Sequence, residues 1–173
     1  MNTRARIEAL WEEHMRCEFE LKDADATMAT MTAQPLVHNI PTMIGGKGYD
    51  EVYHFYKNHF IPHLPKQVEI TPVSRTVDDH RLVDEQIFRF VHDSEVDFIL
   101  PNIAPTGKTI VMPLIVIVTV ENNKVAEEHI YWDQAAVLKQ IGWIKNEKWP
   151  VIGDEQGARL LGKNIPFNKL LKS

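Results

Sequence analysis

The run Met112-Pro113-Leu114-Ile115-Val116-Ile117-Val118-Thr119-Val120 constrains this chain more than any other stretch, because as an extended strand it carries apolar side chains on both faces. A strand with one wet face alternates apolar with polar residues, whereas one that is apolar on both faces needs cover on both. The sheet that holds this run must therefore curl or be capped. As a helix the run is too short to cross a bilayer.

The sequence around it keeps the same period. Residues 68–77 and 81–91 read as two long strands joined by a tight Asp78-Asp79-His80 turn, and 109–120 as a third strand. Glu121-Asn122-Asn123-Lys124 makes a hairpin into a fourth, 125–133. Before the third strand, 93–108 carries Pro101, Pro105 and Gly107 and reads as a loop or an edge excursion. The N-terminal third has the other period. Ile7, Leu10, Trp11 and Met15 recur at three- and four-residue intervals, which predicts an amphipathic helix over 3–21 with Thr3 as its N-cap. A short helix over 25–32 follows, then a proline-bracketed strand over 35–41, then a helix over 49–60 ended by Pro62. A closing helix covers 134–141, and one helical turn is expected near 154–161. Helices first and consecutive antiparallel strands after predict an α+β fold in one domain, 1–145, with a tail, 146–173, packed on it.

With 173 residues, 44% of them hydrophobic, the chain can bury a core and still leave a cavity without help from metals or disulfides. A net charge of −5 with no basic stripe argues against a nucleic-acid partner. The lone Cys17 cannot form an internal disulfide, and no signal peptide or membrane span is seen, so the expected location is cytoplasmic. Gly45-Gly46-Lys47-Gly48 lacks the spacing of a phosphate-binding loop and is expected to make the turn into the third helix.

Candidate chemistry gathers on the last strand. His129, Tyr131 and Asp133 share one face of it, Glu128, Ile130 and Trp132 the other, and an imidazole, a phenol and a carboxylate together suit a pocket wall. A carboxylate at the edge of an apolar cavity is costly to ionise, which is the condition a general acid/base needs near neutral pH. Asp133 is the candidate, with His129 or His38 as its partner. Trp11 and His14 lie on one side of the first helix, and Tyr53 and Tyr56 on the third could line or fill the same cavity. Glu85 and Arg89 share a face of the strand over 81–91, where a cross-strand salt bridge is the favoured reading and a pocket pair the other. His59 and His63 are four apart, but Pro62 breaks the helix that would make them neighbours and no His-Glu-x-x-His pattern occurs, so no metal is expected.

Several of these pieces together resemble a known domain. They are the first helix, the Asp-x-Asp start of the second, the His-bearing first strand, and the glycine-led Tyr-rich third helix. With them goes a last strand ending Glu-His-Ile-Tyr-Trp-Asp-Gln before Val137-Leu138-Lys139-Gln140-Ile141-Gly142. Over about residues 5–145 the chain is similar to the SnoaL-like polyketide cyclases of the nuclear transport factor 2-like superfamily. The resemblance implies a cone-shaped barrel in which a bent antiparallel sheet wraps around the N-terminal helices and leaves a deep apolar pocket. It also implies an acidic general acid/base at the position of Asp133, acting without cofactor.

Within that group the chain resembles small proteins labelled as carboxymethylenebutenolidase-related. Dienelactone hydrolases of the α/β-hydrolase type need a Gly-x-[Cys/Ser]-x-Gly elbow, and none is present. The expected function is binding of a small hydrophobic carbonyl compound by a homodimer, with cyclase, isomerase or hydratase/hydrolase chemistry. The alternative is a non-catalytic ligand-binding or dimerisation module.

Overall fold

Six strands make one curved, unclosed sheet in the computed structural model, which describes residues 3–145 and 148–171. Strands β3 (Val68–Val77), β4 (Arg81–Val91), β5 (Thr109–Glu121) and β6 (Lys124–Trp132) form the antiparallel meander that the alternation predicts. Strand β1 (Met31–Asn39) pairs parallel with β6, and the short β2 (Ile44–Lys47) lies antiparallel at the edge, for a spatial order β2-β1-β6-β5-β4-β3. The first strand begins at Met31, earlier than expected, because the second helix, α2 (Ala24–Ala29), already ends at Ala29; Asp23 caps its start, its carboxylate accepting from the amides of Asp25 and Ala26.

Both long helices change winding before they end. The expected helix over 3–21 is α1 (Thr3–Arg16) followed by a π-helical turn, Cys17–Leu21, that stops at Lys22 in the left-handed region (φ 52°, ψ 48°). The expected helix over 49–60 is α3 (Tyr49–Phe55), a π-helical turn Tyr56–Phe60, and a 3-10 turn Ile61–His63 with Pro62 near its start. The wide turn after α1 leaves both Cys17 and Glu18 buried, and the one after α3 buries Tyr56 and Phe60.

The glycine run is used differently from the expectation. Gly45 and Gly46 are strand residues paired with His38 and Val37, and Gly48 alone leads into α3. At Gly45 (φ 147°) a Cβ would lie 1.9 Å from the Val37 carbonyl oxygen, so no other residue fits there.

The core lies on the concave face of the sheet. Phe88, Phe90, Met112 and Val118 meet Ile7 and Trp11 of α1 and Val52 and Phe55 of α3. The 93–108 loop closes one end of this core with Val96, Phe98, Ile99 and Leu100, and the Phe98 ring sits 4.7 Å from that of Phe60.

Two short helices, α4 (Gln134–Gln140) and α5 (Glu155–Leu160), reach the sheet from its other side and end. The Gln140 side chain pairs with both the amide and the carbonyl of Val111, and α5 brings Gly157 so close that a Cβ would stand 3.0 Å from a Val111 methyl. The boundary expected at 145/146 falls beside residues 146–147, which lie outside the described ones, as do 1–2 and 172–173.

Val116 and Val118 of β5 and Glu128 of β6 are 4%, 0% and 3% exposed and face the core. The outward residues of the same strands are Ile115, Ile117 and Tyr131, with Ile115 41% and Tyr131 39% exposed.

Candidate functional site

Cross-strand register decides which face of β6 looks inward. Directly opposed residues share a face, and Glu128, Ile130 and Trp132 stand opposite Val118, Val116 and Leu114, the inward row of β5. The expectation about β6 is therefore corrected: its two faces are the ones predicted, but Glu128 and Ile130 line the interior, while His129 and Tyr131 stand opposite Ile117 and Ile115 on the outside. The same row continues across the sheet, with Val37 beside Glu128 and Asp84 opposite Val116.

Into this row α1 brings Trp11 and His14, and the π turn brings Glu18. At spacings of three and four, all three occupy one face of the helical stretch. His14 is fully buried. Its Nε2 lies 3.0 Å from Glu128 Oε1 and 3.2 Å from Glu18 Oε1, and Tyr56 donates its hydroxyl to Glu128 at 3.2 Å. Its Nδ1 lies 2.5 Å from the Thr30 hydroxyl oxygen. That hydroxyl already donates to the Thr27 carbonyl at 2.6 Å, so it accepts from Nδ1. With carboxylates on one ring nitrogen and an acceptor on the other, both nitrogens donate and the ring is an imidazolium.

The electrostatics agree with this geometry. Burial alone pushes the His14 ring down, but the charges and hydrogen bonds of Glu128 and Glu18 outweigh it and bring the group up to about 10. One positive ring cannot neutralise two carboxylates. Burial pushes the Glu18 carboxyl up, His14 opposes this, and the Glu128 charge adds to it. Burial and the same two glutamates hold Tyr56 well above the ordinary phenol range, so it stays a hydroxyl that can donate.

The cluster borders a cavity of about 60 Å³. Its apolar walls include Phe19, Phe55, Phe88 and Phe98, and its polar rim includes Glu18, Glu128, Asn39 and Gln86. Trp11 lines it as well, stacked on His14 with ring centroids 5.4 Å apart, and donates its indole N–H to Asp84 at 2.8 Å. Asp84 in turn takes two hydrogen bonds from Arg75. Trp11, Met15, Phe19 and Gln86 also line a surface groove between α1 and β3–β4.

The other expected site residues lie elsewhere. Asp133 is exposed and caps α4, accepting from the Ala136 amide at 3.1 Å and the Gln156 amide group at 2.7 Å. His38 and His129 are register partners on the outer face, their rings perpendicular and 6.1 Å apart. Neither histidine is among the cavity's walls, nor is Asp133. Glu85 accepts from Ser74, and Arg89 pairs with Glu69 rather than with Glu85. Tyr53 stacks on Tyr49 and accepts from Lys57.

Of the expected residues, then, Trp11, His14 and Tyr56 come together, joined by Glu18 and Glu128, which the sequence reading did not select. A signal was present: Glu18 breaks the apolar stripe of α1 on the side of Trp11 and His14, and Glu128 shares its parity with Ile130 and Trp132. His59 and His63, expected to be separated by Pro62, have ring centroids 6.4 Å apart because the change from π to 3-10 winding carries the chain through the proline.

No protein-family model matches the sequence, and no curated protein matches it. Solved structures do match in shape. A protein from Jannaschia sp. CCS1 assigned as a SnoaL-like polyketide cyclase aligns over 84% of this chain and 97% of its own, with a TM-score of 0.62 at 16% identity. A protein from Catenulispora acidiphila with a ketosteroid isomerase-like fold, solved with trimethylamine, covers 77% of this chain and 92% of its own at a TM-score of 0.59 and 10% identity. The epoxide hydrolase/cyclase-like enzyme SalBIII of salinomycin pyran-ring formation covers 75% of this chain and 92% of its own at a TM-score of 0.55 and 12% identity. The chain thus has the nuclear transport factor 2-like cone fold, the fold of the SnoaL-like cyclases. Among the described residues no helix is long and apolar enough to cross a membrane.

Proposed function

We propose that the cavity beneath α1 binds a small carbonyl compound and that the buried carboxylates move a proton on it without a cofactor. The observation that supports this is the pair Glu18 and Glu128, held 3.2 and 3.0 Å from one buried imidazolium at the wall of an apolar cavity. Paired carboxyls in such a setting take different protonation states, and that difference separates an acid from a base. Glu128, facing the donors His14 and Tyr56, serves as the base that removes a proton next to the carbonyl. The Glu18 carboxyl, raised by burial, or the Tyr56 hydroxyl donates toward the carbonyl oxygen. Enolisation of this kind underlies cyclisation and isomerisation alike. His14 stays charged throughout and positions the pair.

The test is isotope exchange. Enolisable ketones and esters of graded size are incubated with the full chain in D2O, and loss of the α-proton signal is followed by NMR. Glu18→Gln and Glu128→Gln should each slow exchange about a hundredfold or more, while Asp133→Asn should leave it nearly unchanged. Exchange that survives both glutamine variants but vanishes with Asp133→Asn returns the role to the strand terminus.

The second reading is a non-catalytic ligand-binding or dimerisation module, and the cavity volume favours its dimerisation form: about 60 Å³ is well below the roughly 300 Å³ at which ligand pockets ordinarily begin. Compounds that raise the unfolding temperature without exchanging would select it. The outward Ile115, Ile117 and Tyr131 row further supports the proposal of a homodimer through the sheet face.

A further inference from the structure

A second cluster of ligating side chains lies away from the buried histidine, where the end of the third helical stretch faces the 93–108 loop. His63 Nδ1 is 2.7 Å and His59 Nδ1 3.4 Å from the same oxygen, Asp97 Oδ2. One donor atom from each of the three residues lies within 4.8 Å of the other two. An ordinary ion pair needs one histidine, and here two imidazoles face one carboxylate oxygen. The His63 contact is also off the direction of an N–H bond, because this buried nitrogen has no hydrogen-bond partner even at that short distance. An orphaned buried nitrogen is costly in a finished structure. His59 Nδ1 is hydrogen-bonded to this Asp97 oxygen, so a metal entering the cluster would replace that shared proton and take up the unused His63 nitrogen as well.

We propose that His59, His63 and Asp97 bind a divalent ion of the zinc class, with a coordination position left open. Two imidazoles and one carboxylate are a donor set that suits zinc with three protein ligands, and the imidazoles select against calcium and magnesium. His59 and Asp97 also line an open cleft of about 450 Å³, bordered by Met43, His54, Pro101 and Asn102. Water or an oxygen ligand entering that cleft reaches the open position. The site is separate from the carboxylate pair and stands or falls independently of it.

His14, Glu18 and Glu128 also bring three donor atoms within the same distance, but both nitrogens of His14 already donate hydrogen bonds and leave no lone pair for a metal.

The experiment is a calorimetric titration of the chelator-stripped full chain with Zn2+ alone near neutral pH. It should saturate at one equivalent per chain. His59→Ala, His63→Ala and Asp97→Asn should each weaken binding by at least the roughly tenfold that loss of even an outer-shell partner costs, and Glu18→Gln should not change it. Co2+ in place of Zn2+ should give the strong visible absorption of a four-coordinate site, lost in His63→Ala. Circular dichroism checks folding, and because the His59 side chain is 45% exposed, His59→Ala carries the test if His63→Ala unfolds. Absence of saturable uptake overturns the proposal. So does uptake that survives all three variants, or that Glu18→Gln alone abolishes.

Discussion

His14, Glu18 and Tyr56 couple the stability of the chain to pH in one direction. The folded state holds the His14 proton more tightly than the unfolded chain does, so this contribution is complete below about 6.5 and is withdrawn as pH rises through about 10. Glu18 acts in the same sense, since a raised carboxyl also favours the protonated folded state and loses that advantage above its ordinary 4.5. The groups facing the ring are Glu18 from the π turn, Glu128 from β6, Tyr56 from the turn after α3, and Trp11, whose N–H ties in the Asp84–Arg75 pair. Tyr56, raised as well, works in the same direction at still higher pH. Urea midpoints should therefore fall from neutral to alkaline pH, and a midpoint that is flat or rising up to pH 10 would contradict the assignment. His14→Ala should cost about 3–5 kcal/mol, because it leaves two buried carboxylates without their counter-charge. Asp133 is predicted to matter for a local reason: Asp133→Ala should cost about 1 kcal/mol as a lost N-cap, and Asp133→Asn much less.

Among the elements, α5 makes the sharpest claim. Gly157 rests on Val111 and Ile87, with a Cβ there standing 3.0 Å from one Val111 methyl and 3.6 Å from Ile87 Cδ1. A large side chain at this position must lift the helix from the sheet. Gly157→Leu should destabilise by about 1–3 kcal/mol through overpacking and speed hydrogen exchange in α5, while leaving the exchange reaction under α1 intact. Unchanged stability would mean that α5 is not seated on β5. The π turns show a different kind of information. Apolar spacing predicted both long helices, yet nothing in the spacing announces a turn closed by i to i+5 bonds, because widening depends on what the turn packs against.

For the whole molecule, the sheet face that carries Ile115, Ile117 and Tyr131 leaves Ile115 and Tyr131 exposed among the described residues, although α5 rests on Val111 further along β5. Sedimentation at micromolar concentration should show a species of twice 20.0 kDa, and Ile115→Lys should return it to the single-chain mass. A wild-type chain that sediments only at 20.0 kDa ends the proposal. The 93–108 loop acts on the same scale, because its Phe98 and Ile99 close the cavity that the N-terminal helices and the sheet begin.

Periodicity sufficed to read the meander from β3 to β6, the helical N-terminal third and the α+β class, since each of these follows from neighbours two, three or four residues apart. It also divided β6 correctly into two faces. Which face is inside was settled by contacts distant in sequence: Glu128 opposite Val118, Val37 beside it, and α1 across it. Parity names two faces and is silent on which one meets the core, so the polar row His129, Tyr131 and Asp133 attracted the functional reading while the cavity formed behind it. The same holds for Glu18, His14 and Glu128, and for His59, His63 and Asp97. Charges become costly, and therefore chemically useful, through the burial and proximity that long-range packing imposes.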